Sequence, residues 1–486
     1  MQGETCKVIH LSQEDGISHS GKILLSPDNP ESMEKLLLQI LGTEQLPCKG
    51  VVHLWSLDTT PTEETTISSL EKDQMLGLTS TLQLIQALKK TKTSVLPPLW
   101  IVTRGAQKIG SETALPAIAQ APIWGLGRSL SMEMPSCWGG LVDLDREFST
   151  TDAAKALFEQ LWYQDGESQI ALRSEHRYVA RLMPSEKIQI AQPLSFDSDV
   201  TYLITGGNGH LGLNTARWMV DKGARHIVLV GRTDASSTAR QAIGQLEDLG
   251  TQVLVVKADI SVRGDVERIF EEIKDYCAPL RGIFHAAGIS SGFHSLEDMT
   301  PELLESVLAP KVVGTWNLHQ MTLGMKLDFF VCISSITSIW GSEGLADYAA
   351  ANHFLDIFAH YRHSLKLPAL TVNVGALSGG GMHYQHQELT GLQQLVNQIG
   401  LKYYSPQELL KTVEYSLEIG VPQQAIVDID WTIFKQLYEA RERRTLLKKI
   451  DIQLPKPLKQ QLGQVGEVLQ KLKDAPPSER YDFLVT

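Results

Sequence analysis

The chain has 486 residues, with 44 Lys and Arg against 56 Asp and Glu, a net charge of −12. That length supports two or three domains with cores of their own, and the acidic balance excludes a general nucleic-acid binder, whose phosphate contacts need a basic excess. Five scattered cysteines (Cys6, Cys48, Cys137, Cys277, Cys332) without a CxxC pair exclude both a disulfide framework and a thiolate zinc site, and apolar runs such as HIVLV and FFVCI are far short of a membrane span.

The opening MQGETCKVIH lacks the basic and apolar regions of a secretory signal, so a soluble protein of the reducing cytoplasm is expected. The first third alternates strands and helices: KGVVHLWSLD, the helical TSTLQLIQALKK, PPLWIVTRG, GGLVDLD, then QIALRSEHRYVARL, which reads as one half-exposed strand. This gives an α/β unit over residues 1–190. None of its strands leads into a glycine fingerprint, so it is a truncated nucleotide-binding pattern without a nucleotide loop, expected to be structural. The polar, proline-punctuated PSEKIQIAQPLSFDSD reads as a connection.

From 197 to 455 the βαβ signal is strong: TYLITGG, NTARWMVDKG, HIVLVGR, STARQAIGQLEDLG, QVLVVKADI, RGIFHAAG and DFFVCISS. Such alternation implies a doubly wound parallel sheet with right-handed crossovers. Residues 456–486 begin as a proline-marked linker and stop abruptly, as expected of a piece of a longer polypeptide.

In the second unit, Gly206, Gly207, Asn208, Gly209, His210, Leu211 and Gly212 form a turn between a strand and a helix. Gly206 permits the tight turn, Gly209 lets a phosphate approach the backbone, and Gly212 lets the helix pack closely. The helix N-terminus then faces a pyrophosphate. At the end of the next strand stands Arg232, where a carboxylate would select NAD; a guanidinium suits a 2′-phosphate, so NADPH is the expected cofactor. A solvated surface charge is the plain alternative. Asp259, followed by Ile260, could accept from the adenine amine or simply cap its turn. The small residues Ala286, Ala287 and Gly288 leave room for a cofactor across the sheet edge.

The run CISSITSIWGSEGLADYAAANHFLD carries the chemistry. Ser335 ends an apolar strand, Tyr348 follows thirteen residues later, and Asn352 lies one helical turn beyond on the same face. A phenol has an ordinary pKa of about 10 and needs a neighbouring cation to become a useful acid. Lys311, expected within the helix before the Ser335 strand, is well placed to supply it. His353, His360 and His363 share a helix, but no acidic or thiolate partner is near, and no metal site is expected.

These motifs resemble the ketoreductase domain of modular polyketide synthases, a two-part relative of the short-chain dehydrogenases. VVHLWSLD, APIWGLGRSLSMEMPSCWGGLVDLD and RYVARL are similar to its truncated structural subdomain. TGGNGHLG, the VGR strand end, HAAG, APKVVGTWNL and the Ser-Tyr-Asn run are similar to its catalytic one, and APPSERYDF resembles the lead-in to an acyl carrier domain. The resemblance implies an N-terminal truncated Rossmann-like subdomain and a C-terminal catalytic one. It implies NADPH-dependent reduction of a β-ketoacyl group held on the phosphopantetheine of an acyl carrier protein, beside neighbouring synthase domains. Tyr348 would donate the proton, Ser335 would bind the carbonyl oxygen, Lys311 would depress the tyrosine pKa, and Asn352 would orient Lys311 or complete a proton relay.

One stereochemical class of this family carries Leu-Asp-Asp soon after HAAG; here that stretch is ISSGFHSLEDM, without the motif. The other carries a tryptophan eight residues before the tyrosine, where Trp340 stands. The resemblance therefore implies the A-type, giving the L-β-hydroxyacyl product, with Trp340, Leu345 and Met382 at the substrate. LTVNVGALSGGGM departs from the family's Trp-Gly-Pro-Trp, and the following ELTGLQQLVNQIG is expected as a lid helix. A catalytically inactive scaffold domain, a free-standing NADPH alcohol dehydrogenase or epimerase, and a reductase of an α-ketoacyl group are the competing readings.

Overall fold

In the computed structural model the described residues are 6–450, apart from 19–21, 28, 44–47, 92–94, 111, 175, 186–193, 380–395 and 443. Met382, most of the expected lid helix and the 456–486 linker lie outside them. Among the described residues, no helix is long and apolar enough to cross a membrane.

The first unit holds a sheet of β1 (Val51–His53), β2 (Leu99–Arg104), β3 (Trp138–Leu144), β4 (Gln169–Arg173) and β5 (His176–Val179), in that spatial order. The first four are parallel and β5 is antiparallel. The stretch expected as one strand is thus a hairpin, β4 turning back at Ser174, whose φ is +27°. Alternating polarity fits one half-exposed strand or two paired ones, and the turn carries no glycine to mark it. Helix α1 (Ala121–Glu133) covers one face, burying Ile123, Leu126 and Leu130.

The second unit is a seven-stranded sheet of β6 (Thr201–Thr205), β7 (His226–Gly231), β8 (Gln252–Lys257), β9 (Leu280–His285), β10 (Phe329–Ser335), β11 (Leu370–Val374) and β12 (Gln423–Ile426). Its order is β8-β7-β6-β9-β10-β11-β12, and every pair is parallel. All five residues of β6 are buried, as in a sheet covered on both faces. The winding reverses between β6 and β9, which opens a crevice at their carboxyl ends, where such sheets bind ligands.

Four helices matter for the site: α2 (His210–Asp221), α3 (Pro301–Lys311), α4 (Val313–Thr322) and α5 (Ala346–Ser364). Lys311 does not sit mid-helix as expected. Pro310 lacks an amide proton and crowds the preceding turn, so α3 ends at Lys311 and α4 begins after Val312. The two units share a core, with Leu126 and Leu130 of α1 in one apolar cluster with Ala346, Ala350 and Phe354 of α5.

Candidate active site

The glycine loop follows β6 directly. Gly206 has φ +68°, and a Cβ there would fall 2.9 Å from the Ala286 carbonyl oxygen, so only glycine fits without strain. A Cβ on Gly212 would lie 2.4 Å from the Gly206 carbonyl oxygen, so the helix packs on the loop itself. Gly209 is exposed, with only the Gly206 carbonyl oxygen within 4 Å of its would-be Cβ. It caps α2 without a side-chain hydrogen bond, and amides of the first turn therefore face the crevice without intrahelical partners. Asn208 donates to the Thr233 carbonyl at 3.0 Å while its buried Oδ1 has no partner among the described residues. His210 is exposed beside Gly379, whose would-be Cβ lies 3.0 Å from its Nε2.

Arg232 is exposed at the end of β7 and forms no ion pair among the described residues. Asp234, two residues on, pairs instead with Lys257 at 2.9 Å, which holds its carboxyl below the usual range. A free guanidinium, a glycine cradle and an uncapped helix start fit the phosphates of a dinucleotide.

Other expected cofactor residues are otherwise engaged. Asp259 Oδ1 accepts from the Ser261 amide at 2.9 Å and hydroxyl at 2.6 Å, so here it caps its turn. Ile260 is buried against Gly314 of α4, whose would-be Cβ lies 2.7 Å from Ile260 Cδ1. Ala286 and Ala287 leave β9 with their amides turned to Thr205. The small size of Gly288 makes room for Lys311, since a Cβ would fall 2.9 Å from Lys311 Cε.

Lys311, Ser335, Tyr348 and Asn352 come together where β10 meets α5. Lys311 is 3% exposed, donates to the Ile333 carbonyl at 2.9 Å and lies 5.8 Å from the centre of the Tyr348 ring. Asn352 donates to the Tyr348 carbonyl at 2.8 Å, and its buried Oδ1 has no partner among the described residues. Ser335 Oγ accepts from the Thr337 amide and hydroxyl at 3.2 and 3.0 Å. The expected lowering of the phenol by Lys311 is absent. Burial dominates, pushing Tyr348 up to about 12 and Lys311 down to about 8. Nor does Asn352 hydrogen-bond Lys311.

Beneath these residues runs a buried network that the sequence did not reveal. Asp356, fully buried, accepts from Ser338 Oγ at 2.6 Å and Asn373 Nδ2 at 2.7 Å. Ser338 Oγ also lies 2.6 Å from the Ser335 carbonyl oxygen, and Ser334 donates to the Asn352 carbonyl at 3.1 Å. From the first unit, Arg128 donates to the Ser338 carbonyl and, at 3.0 Å, to His353 Nδ1. His353 is held down at about 4, chiefly by burial and then by the Arg128 charge. His363 Nε2 bonds the Ala369 carbonyl at 2.7 Å. The one advance signal of this seam was a pair of glycines, Gly125 and Gly127, inside a helix, where glycine usually marks close packing.

Trp340 is 4% exposed and packs 4.8 Å from the Phe434 ring and 6.5 Å from Trp431. Leu345 is buried at the start of α5 and bridges to His294. Where the family tryptophans were expected, Val374 ends β11 and Leu377 bridges to Tyr404.

Two family models divide the chain as the fold does: "KR domain" matches residues 200–379, and "Polyketide synthase extender module SpnB, Rossmann fold domain" matches 31–182. The polyketide synthase GfsA of Streptomyces halstedii is 34% identical over 412 residues, which is 85% of this chain and 5% of GfsA. The solved structure of an A1-type ketoreductase has a TM-score of 0.79 at 30% identity, over 88% of both chains. A C2-type ketoreductase from a modular polyketide synthase reaches 0.76 at 25%, over 88% of this chain and 90% of its own. With its two Rossmann units and this site, the chain belongs to the ketoreductase domains of modular polyketide synthases, nicotinamide-dependent oxidoreductases of the short-chain dehydrogenase superfamily. It spans a small fraction of the length of the curated synthases it matches.

Proposed function

We propose that the domain uses NADPH to reduce the β-keto group of an acyl chain, carried as a phosphopantetheine thioester on an acyl carrier protein of the same cytoplasmic synthase, to the L-β-hydroxyacyl group. The reading rests on one observation above all: Lys311, Ser335, Tyr348 and Asn352 converge beside a glycine loop at the switch point of the sheet.

The loop amides and the start of α2 hold the pyrophosphate, and Arg232 holds the 2′-phosphate. Bound NADPH supplies the hydride. Ser335 donates a hydrogen bond to the carbonyl oxygen and steadies the charge that develops there. Tyr348, protonated at neutral pH, gives its proton to that oxygen. Lys311, buried and cationic below about pH 8, stabilises the phenolate left behind. The unpartnered Oδ1 of Asn352 anchors the path by which the phenol is reprotonated.

Trp340 and the missing Leu-Asp-Asp support the A-type product. Overall shape does not separate the classes, since an A1-type and a C2-type structure resemble this chain almost equally. The test is turnover of NADPH with trans-1-decalone, then chiral chromatography of a reduced β-ketoacyl thioester. Turnover with an L-alcohol majority is expected. A D-alcohol majority overturns the stereochemical assignment, and a folded protein that neither turns over nor binds NADPH is a scaffold.

A further inference from the structure

A cavity of about 770 Å³ lies at the seam between the two units, and none of Lys311, Ser335, Tyr348 and Asn352 lines it. It falls in the size range of small-molecule sites. Its walls come from β4, β5 and the segment after them in the first unit, and from α5, β11 and β12 in the second. The charge of its lining is one-sided. Lys108, Arg128 and Lys449 contribute cations, and Arg181 one that Glu167 already pairs, while no Asp or Glu lines it among the described residues, in a chain whose net charge is −12.

Arg128 is the central observation. Its side chain is 8% exposed. Nε donates to Gln169 at 2.9 Å, and Nη1 to the Ser338 carbonyl and His353. All three partners are neutral, because burial holds His353 near 4. Trp124 lies 5.6 Å from the guanidinium carbon. Arg128 forms no ion pair with a carboxylate among the described residues, and its Nη2 has no hydrogen-bond partner there. Burial lowers its pKa only to about 10, so the charge persists at neutral pH. The buried Asp356 carboxylate, 3.4 Å from His353 Nδ1, attracts the Arg128 charge without touching it, so the unbonded Nη2 has no anion in direct contact, and an oxyanion is the natural partner of such a guanidinium edge.

The geometry points to this cavity as a binding site for an organic oxyanion, a carboxylate or a phosphate monoester with an apolar body. Arg128 holds the charged end beside apolar lining from Trp431 and Ile357, and the cavity shares Trp340 with the substrate region proposed above. The site is separate from the nucleotide loop, and it touches the catalytic helix on the face that carries His353 and Ile357 rather than Tyr348.

Isothermal titration of the full chain with phenylacetate and with phenyl phosphate, at constant ionic strength and with or without saturating NADP+, tests this. At least one probe is expected to bind once per chain with a millimolar or tighter dissociation constant that NADP+ leaves unchanged, and the tighter of the two identifies the oxyanion. Arg128→Gln is expected to weaken binding at least tenfold. Lys108→Glu, which sets a carboxylate at the lining without touching the buried network, should do the same and decides the matter if the first variant fails to fold. No saturable heat from either probe, a heat abolished by NADP+, or unaltered affinity in Lys108→Glu overturns the site.

Discussion

Gly125 of α1 lies so close to α5 that a Cβ built on it would fall 2.2 Å from the Ala349 carbonyl oxygen and 2.6 Å from the Ala350 amide nitrogen. These are backbone atoms of the residues that follow Tyr348. The first unit therefore sets the position of the helix that carries the proposed proton donor.

Gly125→Ala is expected to push α5 outward. Overpacking of this kind costs about 1–3 kcal/mol of stability, and a displacement near 1 Å at a reacting group costs roughly a hundredfold in turnover. Thermal unfolding and steady-state reduction of trans-1-decalone measure the two effects. NADPH affinity should stay close to wild type, because the loop at Gly206–Gly212 lies on other elements. Unchanged kcat would show that α1 does not index the site.

Tyr348→Phe removes the hydroxyl and little else. The loss expected for a proton donor is about 10²–10⁴-fold in kcat, with NADPH binding by fluorescence nearly intact. Substantial retained turnover would assign the proton to another group.

Arg232→Ala tests cofactor choice. The guanidinium is exposed and forms no ion pair among the described residues, so its removal should leave the fold untouched. Charge-assisted hydrogen bonds to a phosphate contribute about 1.5–3 kcal/mol, so KM for NADPH should rise roughly tenfold or more while KM for NADH hardly moves. Equal changes for both cofactors would place the 2′-phosphate elsewhere.

Lys311 gives activity and stability opposite dependences on pH. Burial lowers its pKa from 10.5 to about 8. Above pH 8 the folded protein loses the cation, so kcat at saturating NADPH should fall through an apparent pKa near 8, while the phenol stays protonated. Between pH 8 and 10.5 the unfolded chain holds the extra proton, so the contribution of Lys311 to stability rises with pH there. A pH–rate profile and denaturant unfolding at matched pH separate the two. Turnover flat up to pH 10 would remove Lys311 from the reaction.

The second unit was legible because its signals are local. TYLITGG and GNGHLG carry a buried strand, a left-handed glycine and a helix start within a dozen residues, and the structure places each there. The spacing of Ser335, Tyr348 and Asn352 was legible for the same reason, since a strand end and one helical turn fix it. The hairpin at Ser174 was not, because alternation has the same period before and after an unmarked turn. The break at Lys311 was not, because Pro310 in sequence fits a kinked helix as well as a helix that ends.

The sequence by itself determined the two α/β units, the glycine loop between a buried strand and a helix, and the spacing of Ser335, Tyr348 and Asn352, because these follow from backbone periods and short spacings. Tertiary structure alone decided that Arg128 crosses the seam to the Ser338 carbonyl, that Gly288 makes room for Lys311, and that burial raises the Tyr348 phenol. Each of these depends on close approach and desolvation between segments distant in sequence, which no local pattern records.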